Sequence, residues 1–530
     1  MKDNAEEFYD MVIIGGGSTG SGIALDASTR GYKVLLLDKD DFASGTSSKS
    51  SKLIHGGVRY LEKAIKQFDK SQYNLVKEAL SERNLFLKNA PHLAKTLKLD
   101  TPIYKWLDIA YVYIGLLIYR LISGSKKIKD NEYINKTVLS LTQPNIKKEN
   151  LKGAISFYDG RFIDSRMVIA ILQTAQYYGL EARNYNEVKS FLYDKENKIS
   201  GLEIYNKLED KRYTVKSNCI INASGANVDN IRKIDDNNCE EVMQLSSGIH
   251  IVIDKKVLPY YEGILIPKTS DGRVIFVLPY LEHCLIGTTD NKVDYTTSRE
   301  ASKEDIDYLI NHVNEYFDIK IEDKDILSSW SGIRPLIKED KKHTQELVRE
   351  HKIIKSNNGL ISIAGGKWTT YRKMAEELVD FTIKNNYLSK KENCKTKKLK
   401  VVGSQMNNHV VESILDSSDL SKETKKSLLT FYGDRAIAIA NLAKEQNAFE
   451  LIHKDLPFIE AEVIYTMKNE YVKKPIDYLA RRVSLCFIDK QKSLLCVDNL
   501  CNIMGKILLW DTQKIEETKM ETKEFINNNF

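Results

Sequence analysis

The residues most plainly arranged for chemistry stand near the amino terminus. A short, largely apolar run (residues 9–14) leads into Gly15-Gly16-Gly17-Ser18-Thr19-Gly20, a G-x-G-x-x-G turn, and an acidic residue, Asp38, closes a second apolar run, Val34-Leu35-Leu36-Leu37. The chemistry of such an arrangement is the holding of a dinucleotide by its pyrophosphate. Gly15 permits a tight strand-to-helix turn, Gly17 lets the pyrophosphate approach the backbone, and Gly20 lets the following helix, residues 21–30, pack on the strand. Unpaired N–H groups at the helix start then favour an anion without a basic side chain, and Asp38 can accept hydrogen bonds from ribose hydroxyls. FAD and NAD bind this motif in the same way, and its place at the extreme amino terminus leans toward FAD.

The segment that follows, residues 40–62, combines small hydroxyl residues with a Gly pair and a His, Arg and Tyr, in Ser50-Ser51-Lys52-Leu53-Ile54-His55-Gly56-Gly57-Val58-Arg59-Tyr60-Leu61. It can thread closely past a flat ring system while presenting hydrogen bonds. Here the chain resembles the FAD-dependent glycerol-3-phosphate dehydrogenases, which carry a near-identical S-S-K-L-I-H-G-G-x-R-Y-L run. The likeness continues through Asp271-Gly272-Arg273-Val274-Ile275-Phe276, Ile286-Gly287-Thr288-Thr289-Asp290, Gly332-Ile333-Arg334-Pro335-Leu336, Gly365-Gly366-Lys367-Trp368-Thr369-Thr370-Tyr371-Arg372 and Leu479-Ala480-Arg481-Arg482, and is greatest for the respiratory, mitochondrial-type members. Asn222-Ala223-Ser224-Gly225-Ala226-Asn227-Val228-Asp229 resembles the family's second flavin-contact motif, with Ala226 and Asn227 where many relatives carry Pro and an aromatic residue.

The resemblance implies an α/β fold: an FAD-binding Rossmann-like domain of the glutathione-reductase/D-amino-acid-oxidase kind (1–95, 155–240 and 350–390), an antiparallel-sheet substrate domain (96–154 and 241–349) and a C-terminal α-helical domain (391–530). It implies that FAD is met by Gly15, Gly17, Ser18, Thr19, Gly20, Asp38, Lys39, Thr46, Ser47, Ser48, Lys52, Leu53, His55, Gly56, Gly57, Ala223, Gly225, Gly366, Lys367, Thr369 and Thr370. The implied reaction is oxidation of sn-glycerol 3-phosphate to dihydroxyacetone phosphate by hydride transfer to the flavin, with electrons passed to a membrane quinone. An oxidase returning electrons to oxygen is the near alternative, a superfamily member acting on an amino or hydroxy acid a further one, and a flavin-binding scaffold without turnover the alternative of another class.

The chemistry constrains the remaining side chains. A flavin takes hydride from a secondary alcohol while a base removes or shares the hydroxyl proton. A dianionic phosphate is gripped better by forked guanidiniums than by ammonium groups. Arg59, Arg334 and Arg349 match substrate-contacting arginines by position in their motifs, and Tyr60 stands beside Arg59. Arg349, in a charged stretch, is the least constrained by its surroundings. Lys367 looks like the family lysine near flavin and substrate hydroxyl, where an ammonium stabilises a developing alkoxide. Histidine is the usual proton acceptor near neutrality. His55 and His250 both lie in matched motifs, and the sequence does not choose between them.

These residues need elements to position them. Apolar spacing predicts a helix over 62–88, a β-meander over 186–222 (188–193, 202–205, 213–215 and 219–222) inserted in the dinucleotide fold, and sheet strands at 249–253, 264–266, 274–278 and 284–287. Six lysines crowd residues 389–400 and mark a linker, beyond which the pattern is helical.

At 530 residues, 42% of them hydrophobic, the chain has material for two or three cores. A net charge of +6 is far from the dense basic clustering of a nucleic-acid binder. Seven scattered cysteines without C-x-x-C spacing argue for a reducing compartment and against a structural zinc site. The start of the chain is too acidic for a typical mitochondrial presequence, so localisation on a mitochondrial or related inner membrane, or on a bacterial-type cytoplasmic membrane, would need another address. Residues 109–119 form an uncharged run of eleven, too short to span a bilayer. Two readings compete: a buried core helix, and an interfacial helix carrying Trp106, Tyr111, Tyr113 and Tyr119 with Arg120, Lys126, Lys127 and Lys129 behind it. The resemblance favours the second, with 104–122 as a peripheral contact to an anionic membrane surface. A homodimer is left open.

Overall fold

A computed structural model describes residues 7–57, 69–124, 128–255, 262–267, 269, 272–295, 300–338 and 350–530. Its first sheet has six strands in the order His351–Lys355, Ile361–Gly365, Ile220–Asn222, Met11–Ile14, Val34–Leu37, Glu181–Arg183, all parallel except His351–Lys355. Met11–Ile14 and Val34–Leu37 are buried on both faces, as parallel strands covered on each side must be. Successive side chains part company. Met11, Ile13, Val34 and Leu36 enter the core shared with helices Ser18–Thr29, Asp164–Gln176 and Tyr371–Lys384. Val12, Ile14, Leu35 and Leu37 face the three-stranded antiparallel meander Asn186–Tyr193, Ile199–Asn206, Lys211–Lys216. Each such buried aliphatic side chain contributes about 1.5–3 kcal/mol.

The meander has three strands where the apolar spacing predicts four. Ile220–Asn222 crosses into the dinucleotide sheet and pairs with Met11–Ile14 through Ile13↔Ile221. A three-residue apolar run cannot announce which sheet will take it.

The second, ten-stranded sheet runs Asn291–Val293, Met243–Asp254, His283–Gly287, Ile275–Tyr280, Gly263–Ile266, Ala94–Ile103, Gly153–Phe162, Leu53–Ile54, with Ile326–Ile337 paired to Met243–Asp254 and Glu132–Asn135 to Gly153–Phe162. It is antiparallel except where Gly263–Ile266 meets Ala94–Ile103. Leu53–Ile54 and Gly153–Phe162 thus hydrogen-bond with the substrate sheet, although residues 1–95 and 155–240 read as dinucleotide-domain sequence.

The described part of the long amino-proximal helix is Lys70–Asn89, capped by the Asp69 carboxylate on the N–H groups of Ser71 and Gln72. Residues 58–68, including the expected start of that helix, lie outside the described residues. Helix Trp106–Ser123 buries only Leu116, Tyr119 and Ser123, which overturns the core-helix reading. Its apolar residues outnumber those it tucks against the body, so its outer faces are exposed.

Beyond residue 400 the described structure is helical, from Asn408–Asp416 to Thr512–Asn529, with one π-helical segment, Asp477–Arg482. That segment welds the unit to the dinucleotide domain. Arg482 donates to both Asp41 oxygens at 2.7 and 3.0 Å, Arg481 donates to Asp41 and, at 2.7 Å, to Asp477, and Arg166 forks onto Glu470. Burial pushes the Asp41 carboxyl up, but the two guanidiniums outweigh it and hold the group below its usual range.

Candidate active site

The dinucleotide groove forms where Met11–Ile14 ends. Gly15 sits at φ +107°, and a Cβ there would lie 2.7 Å from the Ala223 carbonyl oxygen. At Gly20 a Cβ would come within 1.8 Å of the Gly15 carbonyl oxygen, so the helix can lie on the strand only without a side chain. Gly17 caps helix Ser18–Thr29, and Ser18 donates its N–H to the Ser47 hydroxyl at 2.9 Å. Asp38 accepts from the N–H groups of Gly16 (2.7 Å) and Asp40 (3.0 Å); burial still pushes its carboxyl up to about 7, against the pull of those donors.

A cavity of about 450 Å³ opens over this turn, lined by Gly15, Gly17, Ser18, Thr19, Asp38, Lys39, Thr46, Ser47, Ala223, Gly225, Gly366 and Lys367 among the predicted residues. Thr46 is fixed by donating to the Ile333 carbonyl at 2.5 Å, and the Trp368 indole donates to the Ser47 carbonyl at 3.0 Å. Lys39 donates to the Tyr295 hydroxyl at 3.2 Å. The groove also takes walls that motif reading did not select: Lys49, Asn186, Val188, Ile231, Ile234, Tyr295 and Ser331. Val188 comes from a meander strand and Ile231 from the helix Val228–Asp235 that packs beside it, where ordinary apolar spacing carries no mark of a ligand.

Other predicted residues stand behind the groove wall. Gly20 packs on the Gly15 backbone as just described. Ser48 lends its carbonyl to Lys52, whose ammonium is 2.6 Å from it and 2.7 and 2.9 Å from the Asp164 carboxylate oxygens. Lys52 is buried against the faces of Trp330 and Phe487, so its charge is spent on Asp164 and not on the groove. Leu53 is in the substrate sheet opposite Arg161. His55 accepts the Thr369 hydroxyl on its carbonyl at 3.4 Å, Gly56 is bound through its N–H, Gly57 follows at φ +87°, and Thr370 bonds back to the Lys367 carbonyl. Asp164 also receives the Ser50 hydroxyl at 2.7 Å and so pins the loop from below. No local sequence signal joins it to a loop more than a hundred positions away.

The substrate sheet brings Arg334 and His250 to one face. Ser246, Gly248 and His250 alternate on their strand opposite Arg334, Gly332 and Trp330. The Arg334 guanidinium lies over Gly248, where a Cβ would be 2.0 Å from it. It donates to the Ser247 carbonyl (3.1 Å), the Thr288 hydroxyl (2.9 Å) and the Thr289 carbonyl (3.0 Å), and Asp290 is 3.7 Å away. The His250 ring stacks on Trp330 at 5.4 Å and 16°, and its Nε2 is 2.8 Å from the Ser51 hydroxyl. Its Nδ1 has no hydrogen-bond partner among the described residues. Burial, reinforced by Arg334 and Lys52, holds the imidazole well below its usual pKa, so it is neutral. Lys367 lines the groove with its Nζ buried. Arg59, Tyr60 and Arg349 lie outside the described residues.

The chain is similar to known proteins. The family described as FAD dependent oxidoreductase covers residues 10–372, and the C-terminal domain of alpha-glycerophosphate oxidase covers 394–515. The mitochondrial glycerol-3-phosphate dehydrogenase of Macaca fascicularis is 40% identical over 537 residues, spanning 99% of this chain and 74% of its own. The probable mitochondrial enzyme of Dictyostelium discoideum is 36% identical over 99% of this chain and 85% of its own. The chain belongs to the FAD-dependent glycerol-3-phosphate dehydrogenase family. The crystal structure of the glycerol-3-phosphate dehydrogenase from Bacillus halodurans complexed with FAD superimposes over 100% of this chain and 96% of its own, with a TM-score of 0.79 and 29% identity. L-alpha-glycerophosphate oxidase from Mycoplasma pneumoniae shares the fold, at a TM-score of 0.57, 18% identity and 74% and 98% coverage. FAD is the cofactor of the family, and the residues present fit it: a helix start entered through three glycines, Gly15-Gly16-Gly17, for the pyrophosphate, the Asp38 carboxylate for ribose, and the Gly365-Gly366 turn along the groove wall.

Proposed function

We propose that the protein oxidises sn-glycerol 3-phosphate to dihydroxyacetone phosphate and delivers the two electrons to a membrane quinone, on a mitochondrial-type inner membrane. Bound FAD supplies the hydride acceptor. The observation that carries the reading is the Arg334–His250 pair, a cation and a neutral imidazole on one face of the substrate sheet, beside the loop that runs into the dinucleotide groove. Arg334, with Arg59, Tyr60 and Arg349, receives the phosphate. Its Thr288 and backbone partners hold the fork flat and exchange against a stronger, charged acceptor. His250, with one ring nitrogen tied to Ser51 and the other without a partner among the described residues, accepts the hydroxyl proton. His55, whose backbone carbonyl accepts the Thr369 hydroxyl, is the other candidate for this role. Lys367 stabilises the alkoxide as it develops.

Anaerobic titration of the flavin absorbance tests this reading. Bleaching by glycerol 3-phosphate at concentrations where glycerol has no effect supports it, and equal bleaching by both refutes the phosphate requirement. Fast reoxidation of the reduced flavin in aerated buffer without quinone would transfer the reading to an oxidase.

Membrane contact rests on the surface around helix Trp106–Ser123. Trp106 is 66% exposed, Leu107 88% and Leu121 63%. Lys105 at the start of the helix and Lys129 just beyond its end are exposed, and Lys152 lies 5.7 Å over the Trp106 ring. Aromatic and aliphatic residues flanked by lysines fit the headgroup region of an anionic bilayer, the helix lying on it.

A further inference from the structure

Helix Trp106–Ser123 meets the protein body through buried Leu116, Tyr119 and Ser123, flanked by half-buried Ile109, Val112, Ile118 and Ile122, and Tyr119 carries a hydroxyl into the interior. Tyr119 reaches inward to accept the N–H of Gly56 at 2.7 Å and donates its own hydroxyl to the Asp159 carboxylate, whose oxygens are 3.0 and 3.1 Å away. Arg83 closes the cluster with a 2.6 Å ion pair to Asp159, both side chains being 2% exposed. Gly56 has no slack: a Cβ there would lie 2.7 Å from both Leu80 and the Tyr119 hydroxyl. On its other side the same loop is bound through His55 to Thr369, two residues beyond Lys367 in the flavin-facing turn. The loop His55-Gly56-Gly57 is thus clamped between the flavin wall and the most exposed apolar helix of the molecule.

A helix that buries so little of its own surface is seated weakly by the protein alone. Covering its outer faces with lipid fixes its position, and with it the position of the Tyr119 hydroxyl. We propose that Tyr119 is a positioning residue which couples lipid engagement of helix Trp106–Ser123 to the placement of the His55-Gly56-Gly57 loop, so that turnover is faster on a membrane. The inference rests on the membrane reading above.

The test uses the full-length holoenzyme, wild type and Tyr119→Phe, with mixed phosphatidylcholine–phosphatidylglycerol vesicles. Co-sedimentation reports binding, and kcat and KM for glycerol 3-phosphate are read with a water-soluble acceptor so that quinone solubility plays no part. In the wild type, vesicles should raise kcat about fivefold, the equilibrium weight of one net hydrogen bond, with KM unchanged. Tyr119→Phe should co-sediment like the wild type and lose the stimulation. A variant that is less heat-stable yet equally stimulated overturns the coupling, because Tyr119 is then only structural. Wild type that binds vesicles without stimulation also overturns it while leaving the membrane reading intact, whereas wild type that does not co-sediment sinks both. Hydrogen exchange on the wild type needs no variant: peptides covering residues 53–57 should gain protection when vesicles are added, and unchanged protection overturns the proposal.

Discussion

The glycine turn at residues 15–20 and the buried charge cluster around Asp41 both hold the cofactor side of the molecule in shape, by opposite means. The turn works by having nothing there. Backbone approaches backbone, and any added carbon would collide. The cluster works by filling a dry interior with matched charges drawn from positions 41, 166, 470, 477, 481 and 482. The first device is local in sequence and tolerates no additions. The second is assembled across the whole chain and tolerates no subtraction, since a buried ion that loses its partner costs far more than the pair contributes.

Breaking the cluster should give the largest effect. Arg482→Met leaves the Asp41 and Asp477 carboxylates to share Arg481 and should lower stability by about 3–5 kcal/mol, read from the denaturant midpoint. The double change Asp41→Leu, Arg482→Met should recover most of it, and failure to recover would mean that the charges do more than balance each other.

The second effect is one of pH. Glu462 is buried beside Tyr478, whose hydroxyl donates to it at 3.1 Å, and burial pushes its carboxyl up from 4.5 to about 8. The folded protein keeps a proton that the unfolded chain releases near pH 4.5. The stabilisation is therefore complete below that value and lost as pH rises toward 8, with a swing of about 3–5 kcal/mol. Glu462→Gln should flatten this part of the stability–pH profile.

The turn answers to a smaller insult. Gly20→Ala should cost about 1–3 kcal/mol through overpacking and lower the flavin content of the purified protein. Smallest is Asp38. With its carboxyl near 7, retention of FAD should improve as pH rises through that value, because the ionised form is the better acceptor for ribose hydroxyls. Asp38→Asn should weaken FAD binding roughly tenfold, about 1.4 kcal/mol, and remove the pH dependence, measured by flavin release during dialysis.

The same contrast explains what could be read from the sequence. The roles of Gly15 and Gly20 are legible because each depends on neighbours within a few positions, and the strands of the substrate sheet are legible because alternation is a local pattern. Lys52 reads as a cofactor contact because its motif is contiguous, yet its partner Asp164 lies 112 positions away. Ile220–Asn222 reads as a meander strand because its true neighbour begins at Met11. Helix Trp106–Ser123 is legible as a helix, while its exposure depends on how little of the body is free to cover it. Gly248 carried a signal that spacing alone did not decode, a glycine two positions before a histidine on a strand, leaving room for the Arg334 guanidinium.

The weaving of the chain between its two large sheets limits how the molecule can open. The polypeptide leaves the dinucleotide sheet after Leu37, returns at Glu181, leaves again after Asn222 and returns at His351. A clamshell swing about one flexible joint would have to bend all four of these passages together, and the Tyr119 clamp and the Lys52–Asp164 pair sit on the first excursion. Excising the substrate sheet as a separate module would therefore cut the dinucleotide sheet into three disconnected pieces.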